Sequence, residues 1–194
     1  MFDYTVQSPT KKTLASIKHW DSFEMHMTSL LTKKITKNEQ DYNAILKAIR
    51  KLSTLLKVPS SSSAAFKQEL QLIQMKQPLS EVTSWGGVVL KKVDVAKDFI
   101  QKLLIIHKYG VLGFEIHKKK NEHLKILEGF CLVFWINHNG NTSNTIAIQL
   151  AGPGDQFHFA PKDEHGILTL TNCIINETSS NHLDDLFYIY QAHL

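Results

Sequence analysis

The sequence predicts an α+β protein in which N-terminal helices precede a closed or sandwich-like antiparallel β-barrel. Apolar residues recur at helical spacing in the first 80 residues. After Trp85, about ten short runs rich in Val, Ile, Leu and Phe are separated by Gly, Asn, Asp and Lys. No helical pattern interrupts these runs, and such a series of short strands is typical of an antiparallel barrel.

The helical patterns fall into three groups. Ser8-Pro9-Thr10 is typical of a helix start, and apolar residues then recur at three- and four-residue steps from Leu14 to Leu31. The strongest pattern runs from Asp41 to Lys57, where an apolar stripe lies opposite lysine and arginine side chains. The segment 59–63, Pro-Ser-Ser-Ser-Ser, ends this helix and offers a cap for a shorter helix that stops by Pro78.

Ten segments after Trp85 have the composition of strands. His138-Asn139-Gly140-Asn141 is a hairpin-turn signal between two of them. Cys131 and Cys173 both lie in such apolar segments, so two reduced, buried thiols are predicted in place of a disulfide or a metal pair. The predicted strands are Val88–Val95, Asp98–His107, Gly113–His117, Leu124–Leu127, Phe130–Asn137, Thr145–Leu150, Gln156–Ala160, Ile167–Leu170, Cys173–Asn176 and Asp185–Tyr190.

Charge is unevenly distributed, and the change marks a predicted boundary between a helical region, 1–80, and a barrel domain, 81–194. The first holds 12 Lys+Arg and 6 Asp+Glu, and the second holds 10 and 12. The basic region lacks clustered Arg, so a solvated surface is predicted and not a nucleic-acid site. A solvated turn is likewise the favoured interpretation of Lys118-Lys119-Lys120, and an anion cradle is the alternative because the run is close to the candidate metal ligands.

The position of the helices and the cellular location are also open to prediction. The helices would pack on the outside of the barrel, form a dimerisation element or dock a partner protein, and the pattern leaves these alternatives open.

There is no run of 18 or more apolar residues and no start that resembles a signal peptide. A cytoplasmic protein without a membrane partner is the expectation.

Three potential metal ligands lie close together in the stretch 110–129, between two glycine-marked turns. Glu115 and His117 are two residues apart, so on a strand both side chains point to one face. Glu122 returns to that face from the next strand, after a polar turn. His165 is a fourth candidate, in a Pro-Lys-Asp-Glu-His-Gly bend beside a strand. Two imidazoles and two carboxylates together are a donor set for a divalent metal.

These residues resemble the metal-binding pattern of the cupin superfamily. The resemblance is closest to the cupin of type II phosphomannose isomerases and bifunctional mannose-1-phosphate guanylyltransferases, and it covers roughly residues 81 to 190. The metal-site pattern matches Gly110, Glu115, His117, Glu122, Glu128-Gly129, Gly154-Asp155, Pro161 and His165. The flanking segments of the isomerases match Trp85-Gly86-Gly87, Ile100–Leu103, Asn121–Leu124 and Leu183-Asp184-Asp185-Leu186, in the same order.

The resemblance implies a jelly-roll barrel whose open end holds one divalent metal, Zn, Fe, Mn or Ni, on Glu115, His117, Glu122 and His165. Glu115 stands where the isomerases have glutamine, which adds a negative charge and weakens the metal as a Lewis acid. Glu115 or a bound water is implied as the catalytic base. Family analogy also implies a homodimer.

The predicted substrate site departs from that of the isomerases. The places where the isomerases have arginines for a sugar phosphate hold Gly166 and Tyr188. The single arginine of the chain, Arg50, lies outside the barrel region, so bidentate phosphate recognition is missing. Lys102, Lys108 or the run 118–120 could replace it as point charges. His158 either lines the mouth or faces away. Lys102, His158 and Tyr188 are predicted to bind the small-molecule ligand.

Three classes of function follow. The first is a metal-dependent enzyme, either isomerase-like on a small sugar or hydroxy-carbonyl substrate, or an iron-dependent dioxygenase, since two histidines and one carboxylate suit Fe(II) and dioxygen. The second is a non-catalytic module that binds a small molecule, with the helices carrying the output. The third is an interaction protein whose metal site is vestigial.

Overall fold

The computed structural model describes residues 1–60, 63–76, 79–136 and 144–193. Within these residues the chain forms four α-helices and two six-stranded β-sheets that face each other across an apolar core. Neighbouring strands are antiparallel in both sheets except at the first strand, which runs parallel to its partner. The predicted α+β architecture, helices followed by an antiparallel jelly-roll barrel, is confirmed.

The first sheet carries two of the four candidate metal ligands, Glu115 and His165, and a third, His117, directly follows one of its strands. Two adjacent strands of this sheet pair with Glu115 opposite His165. In spatial order its strands are β1 (Asp3–Gln7), β8 (Thr145–Ala151), β7 (Cys131–Ile136), β10 (Glu164–Thr169), β5 (Val111–Ile116) and β12 (Phe187–Tyr190).

The second sheet closes the opposite side of the barrel and supplies the remaining candidate ligand, Glu122. All ten predicted strands are present across the two sheets. In spatial order the strands of the second sheet are β2 (Ser80–Thr83), β3 (Gly86–Asp94), β4 (Phe99–Ile106), β11 (Cys173–Ser179), β6 (Glu122–Glu128) and β9 (Gln156–Phe159).

Strand β1 was not predicted, because the only signal identified before Leu14 is the helix start at Ser8-Pro9-Thr10. Its five residues pair in parallel with β8, far along the chain. The ring of Tyr4 is buried, and its hydroxyl contacts that of Thr36. The predicted helical region 1–80 therefore contributes a barrel strand as well as helices, and the boundary at residue 80 stays a prediction.

Three of the four described helices begin after a residue whose side chain caps the helix, whereas the helix Trp20–Leu31 follows His19, which makes no side-chain cap hydrogen bond. Thr10, Asn38 and Ser63 are N-caps, and the oxygen of each side chain accepts a hydrogen bond from the backbone N–H three residues later. The helix predicted to reach Lys57 ends at Leu52, because a 3₁₀ turn follows at Ser53–Leu55. The four helices are α1 (Lys11–Ala15), α2 (Trp20–Leu31), α3 (Glu39–Leu52) and α4 (Ala64–Gln74).

The apolar faces of the helices lie on the outside of the barrel. Residues of α2 and α3, such as Phe23 and Tyr42, pack with Phe114 of β5 and its neighbours on the outer face of the first sheet. Residues of α4, such as Phe66 and Ile73, pack on the second sheet. Each fully buried side chain of this size contributes about 1.5–3 kcal/mol. Of the alternatives for the helices, packing on the barrel is the one observed.

The interior of the barrel is apolar at one end and polar at the other. Leu104, Ile126, Val133 and Ile175 are among the aliphatic residues that meet between the sheets. Cys131 and Cys173 lie in this core, and both are free and buried, as predicted. The buried acidic and basic side chains collect beyond this core and form the site described below.

Two turns match the predicted pattern, and a third cannot be compared. Gly129 of the Glu-Gly turn has a φ of 82°, and a Cβ there would lie 2.1 Å from the Asn172 carbonyl oxygen, so glycine is required. Asp155 of the Gly-Asp segment accepts hydrogen bonds from the hydroxyls of Thr10 and Thr13 at 2.7 and 2.6 Å, which anchors α1. The predicted hairpin turn at 138–141 lies outside the described residues.

The helices are short compared with the thickness of a bilayer. Among the residues that the structure describes, no helix is long and apolar enough to cross a membrane.

Candidate metal centre

The four predicted ligands come together at the open end of the barrel. Glu115 lies on β5, His117 directly after it and His165 on β10, while Glu122 begins β6 of the opposite sheet. One nitrogen or carboxylate oxygen from each residue lies within 4.8 Å of all the others. All four side chains are buried, the most exposed being Glu115 at 8%. The site therefore joins the two sheets.

The alternation of β5 points Glu115 inward. Phe114 packs outward on the helices, so its neighbour Glu115 faces the barrel interior, and His117 follows on the same side. His165 sits opposite Glu115, and the pairing of β10 with β5 shifts register directly after it. This bulge falls at Gly166, where a Cβ would lie 3.1 Å from both the Gly113 carbonyl oxygen and the Tyr42 hydroxyl.

The distances within the cluster suit a bound ion. His165 Nε2 lies 2.9 Å from Glu122 Oε2 and 3.5 Å from Glu115 Oε1. His117 Nε2 lies 3.6 Å from Glu122 Oε2 and 3.7 Å from Glu115 Oε1. Metal bonds to such ligands are about 2.0–2.2 Å, which places two ligand atoms on one ion at most about 4.4 Å apart. The four atoms need to move by only a few tenths of an ångström to meet that limit.

The hydrogen bond of His117 shows which nitrogen is available to an ion. Its Nδ1–H donates to the backbone carbonyl of Asp185, so in the neutral ring the lone pair is on Nε2. That Nε2 is buried and has no hydrogen-bond partner among the described residues. It faces the carboxylates of Glu115 and Glu122. A lone pair turned toward two carboxylates is unfavourable, and a cation bound between the three groups removes this repulsion, so these residues fit a divalent metal.

His165 is held by stacking and by Glu122. Its ring lies parallel to that of Phe159, with centroids 4.1 Å apart. Burial raises the pKa of Glu122, but the hydrogen bond and charge of His165, with the charges of Lys120 and His117, outweigh it and hold that pKa well below its ordinary value. Glu122 is therefore an ionised carboxylate at neutral pH.

A buried chain of alternating charges runs behind the cluster. The ammonium of Lys120 lies 2.6 Å from Glu122 Oε1 and 2.7 Å from Glu177 Oε1. Lys102 lies 2.8 Å from the same oxygen of Glu177. The expectation of a solvated lysine turn is therefore wrong for Lys120, which is 5% exposed, although Lys118 and Lys119 are exposed. Lys120 compensates the carboxylates on the inner side of the site.

Asp185 fixes the turn that carries His117. Its carbonyl accepts the His117 hydrogen bond, and its carboxylate accepts the backbone N–H groups of Lys119 and Lys120 at 2.6 and 3.0 Å. These backbone hydrogen bonds outweigh the effect of desolvation and lower the pKa of Asp185. The Leu183–Leu186 segment, noted for its family resemblance, thus orients a candidate ligand.

A cavity of about 420 Å³ opens directly onto the cluster. Two of the three predicted substrate-binding residues, Lys102 and Tyr188, line it. Tyr188 is half exposed at the rim and pairs across strands with Glu115. His158 lies on β9 opposite His123 and does not line this cavity. Its assignment as a substrate-binding residue stays a prediction.

Sequence reasoning missed Lys120 and Glu177 as parts of the site. Lys120 lies in the turn before β6, outside the predicted strands, so no alternation assigned its side chain to the interior. Glu177 continues the inward alternation of Cys173 and Ile175, but the predicted strand stopped at Asn176, whereas β11 extends to Ser179. Extending the alternation to Ser179 would have turned Glu177 inward, but no local pattern places it beside Lys120.

In the metal-free protein, His165 is expected to titrate above its ordinary pKa of 6.5. Burial lowers the pKa, but the hydrogen bond and charge of Glu122 and the charge of Glu115 outweigh burial. The stability contributed by protonated His165 is thus fully present below pH 6.5 and is lost as the pH rises through its higher folded-state pKa. NMR titration of the imidazole C–H signals measures this pKa. Glu122→Gln should lower it, and a wild-type midpoint at or below 6.5 would contradict the expectation.

Two facing sheets with a buried ligand cluster at their open end define a jelly-roll barrel protein with a candidate divalent-metal centre. No family model matches the sequence, and no curated protein matches it by sequence. Solved structures do show a likeness in fold, and the neighbours are cupin-fold proteins.

Three of these neighbours illustrate the range. Oxalate decarboxylase from Bacillus subtilis is 15% identical, with a TM-score of 0.48 over 57% of this chain and 29% of that chain. An oxalate oxidase is 16% identical, with a TM-score of 0.45 over 55% of this chain and 57% of that chain. KdgF from Halomonas sp. is 16% identical, with a TM-score of 0.45 over 58% of this chain and 94% of that chain. The fold assignment itself comes from the strand order and pairing.

Proposed function

We propose that this chain is a metal-binding enzyme of the cupin type that acts on a small hydroxy-carbonyl substrate in an isomerase-like reaction. The observation that supports the proposal is the meeting of four buried ligand side chains at the end of a cavity. Its volume of about 420 Å³ lies within the usual range of about 300–1,000 Å³ for small-molecule sites.

Glu115 is the proposed catalytic base. A divalent metal bound by Glu115, His117, Glu122 and His165 would polarise the carbonyl oxygen of the substrate. The two carboxylates differ in their contacts. Glu122 forms close ion pairs with Lys120 and His165, whereas the imidazole nitrogens of His165 and His117 lie 3.5 and 3.7 Å from Glu115 Oε1. Glu115 is therefore freer to take the proton from the hydroxyl-bearing carbon beside the carbonyl and return it to the former carbonyl carbon. The hydroxyl proton moves to the former carbonyl oxygen, so that hydroxyl and carbonyl exchange places without an oxidant.

The cavity favours a substrate without a phosphate group. The single arginine, Arg50, lies over the ring of Tyr109 and does not line the cavity. Lys102 and Tyr188 are the proposed contacts of the substrate, and an ammonium lacks the planar fork that recognises phosphate bidentately. A small unphosphorylated sugar or another hydroxy-carbonyl compound fits this lining better than the substrate of the phosphomannose isomerases.

An iron-dependent dioxygenase is the second candidate. His117, His165 and one carboxylate provide the two-histidine, one-carboxylate set that suits Fe(II) with open positions. Leu104, Leu112 and other aliphatic residues line the cavity, and such walls limit access of water to reactive oxygen species. Iron in the purified protein together with substrate-dependent uptake of dioxygen would favour this reaction over isomerisation.

Metal analysis combined with a turnover screen tests the proposal. The purified protein is expected to hold one divalent ion per chain and to interconvert a hydroxy-carbonyl compound without consuming dioxygen. Bound metal without turnover would favour a non-catalytic binding module, and the absence of stoichiometric metal would favour a vestigial site. The homodimer, a protein partner of the helices and a cytoplasmic location stay predictions, the first to be tested by light scattering.

A further inference from the structure

The lining of the cavity divides into a polar end and an apolar body. The candidate metal ligands and Lys120 occupy the polar end. Most of the remaining lining is aliphatic or aromatic, with Ser80, Glu81, Thr83 and His182 among the polar exceptions. This mixed lining indicates a ligand with one polar group and one apolar group. The apolar lining residues include Trp85, Leu90, Leu104, Leu112, Leu124 and Ile167.

The apolar lining continues outward to the protein surface. Leu79, Leu183 and Leu186 line the same cavity and are 66%, 60% and 41% exposed. Single exposed leucines are ordinary, but these three come from two distant segments and surround one opening. An apolar group that extends from the cavity would cover them.

Lys102 differs from Lys120 in having donors left for a ligand. Lys120 contacts two carboxylates, and 5% of its side chain is exposed. Lys102 contacts one carboxylate, that of Glu177, and 17% of its side chain is exposed. An ammonium has three donors. Among the described residues that line the cavity, Lys102 is thus the cation best placed to bind an anionic ligand.

We propose that the natural ligand is an amphipathic carboxylic acid with a neighbouring hydroxy or oxo group. Its oxygens lie at the polar end, its carboxylate contacts Lys102, and its aliphatic or aromatic group follows the apolar wall to Leu79 and Leu183. The inference rests on the proposed function in placing the oxygens at the metal cluster, and it narrows the substrate class to acids with an apolar group.

Titration calorimetry of the metal-loaded protein with three simple probes tests this inference. 4-Methyl-2-oxopentanoate is expected to bind at least tenfold more tightly than pyruvate, because burial of its extra carbons is favourable. Lys102→Met should weaken binding of 4-methyl-2-oxopentanoate about tenfold and leave binding of its methyl ester unchanged. Leu183→Ser should reduce the preference for the longer acid, whereas Leu127→Ser, at an exposed leucine away from the cavity, should not.

Metal content is measured for every variant, so that a lost ion is not mistaken for a lost contact. Equal binding of pyruvate and 4-methyl-2-oxopentanoate, no effect of Lys102→Met, or no binding of any probe would overturn the inference. If the expected binding order holds but no isomerisation is found, the proposed reaction fails and the ligand class stands. If a small polar sugar is turned over and 4-methyl-2-oxopentanoate binds no more tightly than pyruvate, the proposed reaction stands and the ligand class fails.

Discussion

Lys120→Met is expected to lower the free energy of unfolding of the metal-free protein by about 3–5 kcal/mol, because it removes one partner from a buried ionic chain. The Lys120 ammonium contacts Glu122 and Glu177 at 2.6 and 2.7 Å, and both carboxylates are 3% exposed. Burial lowers the pKa of Lys120, but these two carboxylates outweigh it and raise that pKa above its ordinary value. Without the ammonium, two buried negative charges lose a shared partner. Urea unfolding followed by circular dichroism measures the change.

Two further variants show whether the loss of stability in Lys120→Met comes from the buried ion pairs or from any substitution in this turn. Lys119→Met changes the adjacent, exposed lysine and should alter stability by no more than about 0.5 kcal/mol. Adding Glu177→Gln to Lys120→Met should restore part of the loss, because it removes one of the two buried negative charges that the Lys120 ammonium compensated. If Lys120→Met and Lys119→Met are equally stable, the buried chain does not contribute as described.

His117→Ala is expected to weaken binding of a divalent metal at least about 100-fold, since loss of a supporting partner alone costs 10–100-fold and this change removes a ligand itself. The imidazole is held by the Asp185 carbonyl with Nε2 facing both carboxylates, and no nearby side chain replaces it in the described cluster. Equilibrium dialysis against Zn, Mn, Fe and Ni with metal analysis measures the affinity. Metal should also raise the melting temperature of the wild type and not of the variant.

His123→Ala is the matched control for the metal experiment. His123 is next to Glu122 on β6, but its ring faces away from the cavity and lies 2.9 Å from the Gln156 side chain. Its loss should leave metal affinity within about twofold of the wild type, as expected for a residue without contact to the ion. Equal metal binding by His117→Ala and the wild type would remove the basis for the candidate metal centre.

The elements of the barrel were predictable where short-range patterns decide structure. The ten strands found by composition are all present, and Thr10, Asn38 and Ser63 begin helices at the positions that capping chemistry favours. Helix ends were less predictable, since α3 stops at Leu52 although its apolar pattern continues. Strand β1 was missed because its pairing partner β8 is remote in sequence, and no local pattern reports such a contact.

The candidate ligands were predictable because the residue types and their spacing carry the information. Glu115 and His117 share a face by the two-residue period of a strand, and that period is a property of the backbone. The neighbours of the ligands were not predictable in the same way. Lys120 and Glu177 resemble ordinary surface residues in the sequence, and only the approach of β6 and β11 at the open end places their charges together.

The amino-acid sequence alone determined the order of ten of the twelve described strands, the apolar faces of the helices, and the four side chains offered to a metal. These depend on backbone periodicity and side-chain chemistry, which act over a few residues. The tertiary structure alone decided that the four ligand atoms lie within 4.8 Å, that Lys120 is buried between two carboxylates, and that His158 does not line the cavity. Those outcomes depend on how two sheets face each other, and the physical reason is that packing distances between remote segments are not encoded by any local pattern.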